Sequence, residues 1–156
     1  MSNYNITSSF FTLNGIKTKA RLIDVYDGDT VTCIFPILKD NYYKFNLRLM
    51  GIDTAELKNN DISQKQKALE ARHLILTSCS ETYNLNVDCG RHYIQNYLKE
   101  QETFVWVECF DFDKYGRVLA NVYSYKDKEV NGMSLSELLL NAKLAYAYDG
   151  GKKGKN

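Results

Sequence analysis

The chain has 156 residues, 44% of them hydrophobic and 25% charged, which allows one domain with a buried core and excludes several full domains. A net charge of +1 excludes a protein-wide positive field, so any nucleic-acid contact has to come from a local cluster. No segment approaches the roughly 20 apolar residues of a membrane helix, and Met1 to Phe11 lack the basic start and apolar run of a secretion signal, so an intracellular, by default cytoplasmic, protein is expected.

Residues 1–15 are polar and aromatic without period and read as a flexible N-terminal arm. One domain over 16–150 follows, then a basic tail over 151–156. From Lys17 the pattern is that of strands. Ala20, Leu22 and Asp24 alternate with Arg21, Ile23 and Val25, and a second run, Thr30 to Phe35, follows a break at Asp27-Gly28. Asp-Gly between two such runs predicts a hairpin whose turn takes its positive φ from the glycine. Lys44 to Ile52 is the next strand, with Phe45, Leu47 and Leu49 on one face and Asn46, Arg48 and Met50 on the other.

A helix is predicted from about Ser63 to Ser78, opened by a capping box of Ser63 and Gln66, with Ala68, Ala71 and Ile75 on one face. In residues 80–103, Leu85, Val87 and Cys89 alternate, and Tyr93, Ile94, Tyr97 and Leu98 recur at helical spacing. Phe104 to Phe110 and Val118 to Tyr125 supply two more strands, and Ser134-Leu135-Ser136-Glu137 opens a short helix through about Asn141. Five strands with a helix between the third and fourth predict an α+β, mainly β fold: a five-stranded OB-fold barrel with two to three helices. Cys33, Cys79, Cys89 and Cys109 show no C-x-x-C pair and no zinc spacing, and read as structural thiols. His73 and His92 lie away from every motif and receive no catalytic role.

The chemistry concentrates in a few positions. Asp29 and Asp53 lie on different predicted strands, and two converging carboxylates would repel unless a cation lay between them. Such oxygen ligands suit Ca²⁺, with Mg²⁺ open as an alternative. Arg48 stands in an otherwise apolar strand, where a guanidinium needs an anionic partner; a phosphate is one that it matches bidentately. Arg117 follows the turn Tyr115-Gly116, and Glu56 lies three residues beyond Asp53, where a carboxylate could act on a water. Asp27 reads as a turn former.

The runs Asp27-Gly28-Asp29-Thr30-Val31, Arg48 through Ile52-Asp53-Thr54-Ala55-Glu56, and Asp113-Lys114-Tyr115-Gly116-Arg117 resemble the staphylococcal (thermonuclease-like) nuclease family in order and spacing. The resemblance spans roughly Lys17 to Gly151. It implies a Ca²⁺-dependent endonuclease acting on DNA, single- or double-stranded, with RNA open as a further substrate, and leaving 3′-phosphate ends. It implies that Asp29, Asp53 and the backbone carbonyl of Thr54 hold the ion. Glu56 is then the general base or water-positioning group, and Arg48 and Arg117 clamp the reacting phosphate. Lys114 and Tyr115 touch a neighbouring phosphate, and Tyr146 and Tyr148 line the nucleotide pocket. A monomer is the default.

Three departures stand out. Ala55 occupies the position of the family's usual proline, which loosens the segment carrying Glu56. Residues 80–103 look like an insertion that could pack on the barrel, guard the cleft or form a dimer contact. The chain ends soon after Tyr148, so the terminal helix of the best-known members is expected to be missing. The competing expectation is a catalytically silent OB-fold module that binds nucleic acid or a protein. The joint presence of Asp29, Arg48, Asp53, Glu56 and Arg117 favours the enzyme.

Overall fold

Alternating side chains build β1 (Lys17–Asp27), β2 (Thr30–Leu38) and β3 (Asn41–Leu49), a meander of antiparallel pairs, in a computed structural model that describes residues 3–126 and 129–148. β5 (Thr103–Phe112) pairs antiparallel with β1, and β6 (Val118–Lys126) with β5. The closing contact is parallel: Leu47, Arg48 and Leu49 of β3 pair with Val118, Leu119 and Ala120 of β6. These five strands form a closed mixed barrel, mainly β and OB-fold-like, as the spacing of the runs predicted. Shorter pieces extend it. β4 (Ile52–Asp53) pairs with β8 (Tyr146–Ala147), and β7 (Glu129–Ser134) lies along β6. The inward rows, among them Leu22, Val25, Val31, Phe35, Leu47, Val105, Val107 and Val122, are fully buried. Leu13, ahead of β1, belongs to the same core.

Two predicted details of the first three strands are corrected. The third strand starts at Asn41 rather than Lys44 and stops at Leu49, because the chain turns back at Asp40 (φ 57°) and again at Gly51 before β4. The hairpin at Asp27-Gly28 exists, but its glycine does not adopt positive φ. Space is the reason for Gly28: a Cβ there would lie 2.6 Å from the Ala71 Cβ and 3.0 Å from the Thr54 Cγ2. The turn is pressed against a helix.

That helix is α1 (Ile62–Cys79), which buries Ala68, Ala71 and Ile75 as predicted. Its cap is Asp61 rather than Ser63; the Asp61 carboxylate accepts the N–H of Ser63 at 2.8 Å and of Gln64 at 3.3 Å. Leu85, Val87 and Cys89 alternate in burial within a loop, not a strand, and the buried Arg72 of α1 donates to the Cys89 carbonyl at 2.6 Å. The helical spacing that follows is α2 (Arg91–Glu100), seated on β1 through Ile94 and Leu98. Arg91 and Gln95 donate to the buried Asp24, and Arg21 to the carbonyls of Leu98 and Lys99. Of the three placements open to this segment, the structure therefore shows packing on the barrel. α3 (Leu135–Asn141) opens where predicted, with the Ser134 hydroxyl accepting the Glu137 N–H at 3.1 Å.

All four cysteines are free thiols, and burial pushes Cys79 up to about 12 and Cys109 up to about 11. Inert structural thiols fit those values. Among the described residues no helix is long and apolar enough to cross a membrane. The basic tail lies outside the described residues.

Candidate active site

The β1–β2 turn, the end of β3, β4 and the turn before β6 meet at the barrel seam and bring the predicted acidic and basic residues together. Asp27 and Asp29 flank Gly28, and Asp27 accepts the Asp29 N–H at 3.2 Å. On its other side Asp29 accepts the Thr30 hydroxyl at 3.0 Å, the Thr54 hydroxyl at 3.2 Å and the Thr54 N–H at 3.3 Å. Thr54 thus ties the segment after β4 to the hairpin.

Arg48 lies between two of the carboxylates. Its guanidinium stands 3.5 Å from Asp29 and 3.2 Å from Asp53, and also donates to the Leu49 carbonyl. Arg48, Asp27 and Asp29 are all buried. Burial, and then the charge of Asp29, pushes Asp27 up to about 7. Burial works the same way on Asp29, but the hydrogen bond from Asp27, the charge of Arg48 and the Thr30 and Thr54 donors outweigh it and leave its carboxyl below the ordinary value. The two neighbouring carboxyls are thus pushed in opposite directions, Asp27 towards its neutral form and Asp29 towards its charged one.

The second arginine is placed by a turn. Asp113 accepts the N–H groups of Tyr115 (2.8 Å) and Arg117 (2.9 Å), while Gly116 takes the left-handed conformation (φ 84°) that closes it. The other Asp113 oxygen accepts from Arg117 Nε at 2.7 Å, and Arg117 Nη1 donates to the Thr30 hydroxyl at 3.2 Å. Nη2 makes no hydrogen bond among the described residues. These donors outweigh burial and hold the Asp113 carboxyl below its ordinary value.

Arg48 and Arg117 line two adjoining cavities. One, about 470 Å³, also carries Asp27, Asp29, Asp53 and the exposed Glu56. The other, about 510 Å³, is lined by Lys114, Tyr115, Met50, Leu119 and Tyr148. The Tyr148 ring faces the Arg48 guanidinium at 5.8 Å, and its N–H donates to the Gly51 carbonyl at 2.9 Å. Tyr146 pairs with Asp53 through the backbone but lines neither cavity. Sequence reasoning passed over Thr30, which touches Asp29 and Arg117 together, and Asp113, which orients Arg117. The i,i+4 spacing of Asp113 and Arg117 was the available signal. Tyr26, Leu57 and Lys58, which also line the acidic cavity, left none.

Among the described residues no three His, Cys, Asp or Glu side chains form a metal-holding group. The donor set here is two carboxylates on opposite sides of one guanidinium, with backbone oxygen nearby. Residues 46–156 match the family model described as staphylococcal nuclease homologue. The chain belongs to that family. No curated protein matches it. The family match takes in Arg48, Asp53, Glu56 and Arg117, and starts beyond Asp27 and Asp29, which β1–β2 pairing delivers to the same cleft.

Proposed function

We propose that this staphylococcal nuclease homologue is a metal-dependent phosphodiesterase, a Ca²⁺-dependent endonuclease that hydrolyses DNA, with RNA open as a further substrate, and leaves 3′-phosphate ends. The observation that carries the reading is the position of Arg48 and Arg117. Both line an acidic cavity and an adjoining one with aromatic and basic walls, so a phosphate beside them has oxygen ligands on one side and room for a nucleotide on the other.

Arg48 is fixed by Asp29 and Asp53 and presents a charge that needs no reorganisation when a phosphate arrives. Arg117 is held through Nε and Nη1, which leaves Nη2 to donate to a phosphate oxygen. Glu56, exposed at the mouth, orients a water for in-line attack and takes its proton. The bond from phosphorus to the 5′ oxygen breaks, and that oxygen takes a proton from solvent, releasing a 5′-hydroxyl and a 3′-phosphate. Asp29, Asp53 and the Thr54 carbonyl would hold Ca²⁺, hard oxygen donors of the kind that ion takes. When bound, the ion supplies positive charge beside a phosphate oxygen; Mg²⁺ fits the same donors under stricter geometry. Tyr148, Tyr115 and Lys114 hold the neighbouring nucleotide.

The test is digestion of single-stranded DNA and RNA with Ca²⁺, Mg²⁺ or EDTA, beside Glu56→Gln. Calcium-dependent cleavage that falls roughly 10²–10⁴-fold in the variant is expected. Products ending only in 3′-hydroxyl groups would refute the stated bond. A folded protein that retains DNA and cuts nothing would make the domain a binding module.

A further inference from the structure

Beyond the cleft, a third cavity of about 560 Å³ lies between α2 and the outer face of β1–β3. Arg21, Lys44, Arg91 and Lys99 line it, against the carboxylate of Asp24, while Glu102 stands 3.8 Å from Arg21. Asp24 is buried and already engaged by Arg91 and Gln95. Lys44 and Lys99 are exposed and make no ion pair among the described residues. In a chain of net charge +1 this is a local concentration of cations.

Strand register joins the groove to the cleft. β2 and β3 pair Thr30 with Arg48, Thr32 with Asn46 and Ile34 with Lys44. Alternate residues share a face, so Arg48, Asn46 and Lys44 stand in one row, with Lys44 roughly 13 Å from Arg48 along the strand. Thr30 lines the cleft, and Thr32, next on the same face of β2, lines the groove. On β1, Tyr26 lines the cleft and carries the Arg91 guanidinium over its ring at 4.7 Å.

We propose that the groove binds the sugar–phosphate backbone of a single nucleic-acid strand whose reacting phosphate lies in the cleft. Lys44 and Lys99 contact phosphates about two nucleotides away from the bond that breaks, and the partly exposed Tyr26 offers its ring to a base on the way. A cationic groove with an interleaved aromatic ring is the combination that single-strand binders use. The segment 80–103, through α2, then extends the substrate path instead of only covering apolar surface. This assignment rests on the nucleolytic reading of the cleft.

Fluorescence anisotropy with labelled thymidine oligomers of 4 and 16 nucleotides tests it, in a Glu56→Gln background with Ca²⁺ present. Lys44→Gln/Lys99→Gln should weaken the 16-mer roughly tenfold or more near 0.1 M salt, lower the salt slope by about 1.4, and weaken the 4-mer by less. Lys17→Gln/Lys143→Gln removes the same charge where it lines none of the three cavities, and should change neither. Unchanged 16-mer affinity, an equal loss in the control pair, or a loss as large for the 4-mer as for the 16-mer overturns the proposal. Cleavage of the 4-mer by the parent protein reports on the cleft alone. Length-dependent binding that needs Lys44 and Lys99, without cleavage, would keep the groove and refute the nuclease. Cleavage with unchanged 16-mer affinity would do the reverse.

Discussion

At Arg48 and Arg117 the same chemistry is held in two different ways. The Arg48 side chain is 10% exposed with two carboxylates beside it, whereas that of Arg117 is 29% exposed and belongs to a surface turn. Arg48→Gln leaves buried carboxylates facing one another and should lower stability by roughly 3–5 kcal/mol. Arg117→Gln should cost about 1 kcal/mol or less. Both should abolish the proposed cleavage, so urea midpoints separate the structural share from the chemical one; equal midpoints would contradict the pairing of Arg48 with Asp29 and Asp53. Asp27 adds a pH dependence. Its folded value of about 7 lies above the ordinary 3.8, so the protonated form favours the folded state. That contribution is whole below about pH 4 and is lost as pH rises to about 7. Asp27→Asn keeps the acceptor for the Asp29 N–H and stays neutral, so its stability relative to the parent should rise by roughly 1–3 kcal/mol between pH 5 and pH 8 without added metal. A parallel pair of pH profiles would remove Asp27 as the cause.

At the scale of the elements, the sequence was most legible where the cause is local. Alternation placed β1, β2, β5 and β6, and the face of Ala68, Ala71 and Ile75 placed α1, because burial period follows backbone geometry. Reasons that lie far along the chain were not legible. Arg91 meets Asp24 across 67 positions, so the pattern in residues 80–103 announced a helix without saying where it sits. Asp27-Gly28 announced the hairpin, while the need for glycine comes from Ala71 and Thr54. Gly28→Ala should therefore cost about 1–3 kcal/mol by overpacking rather than by backbone strain. In an Ala71→Gly background, itself costing about 1 kcal/mol, that penalty should shrink, since the contact at 2.6 Å is gone. Additive urea midpoints in the double-mutant cycle would show that the turn does not press on α1.

For the whole molecule, the decisive feature is the three-residue parallel contact between β3 and β6, which closes the barrel and sets Arg48 beside Leu119, two positions from Arg117. The motifs named the acidic and basic members of the site, but their partners depend on this closure: Arg48 reaches Asp29 from another strand, and Arg117 reaches Thr30 across the seam. Tyr146 sits next to Asp53 in register and lines neither cavity beside the arginines. The cleft is thus a property of the closed barrel, not of a hinged flap. Trp106, the single tryptophan, lies on β5 and stacks near Tyr125 with ring centres 6.2 Å apart, so its fluorescence reports on barrel strands remote in sequence from the acidic turn. If the closure holds the site, urea should end the proposed cleavage and change Trp106 fluorescence and far-ultraviolet dichroism at one midpoint, as in a two-state transition. Cleavage lost well before the fluorescence would mean that the seam opens while β1, β5 and β6 stay paired. The arginine geometry would then depend on β3 and β6 alone, and stabilising that pair should restore activity without raising the fluorescence midpoint.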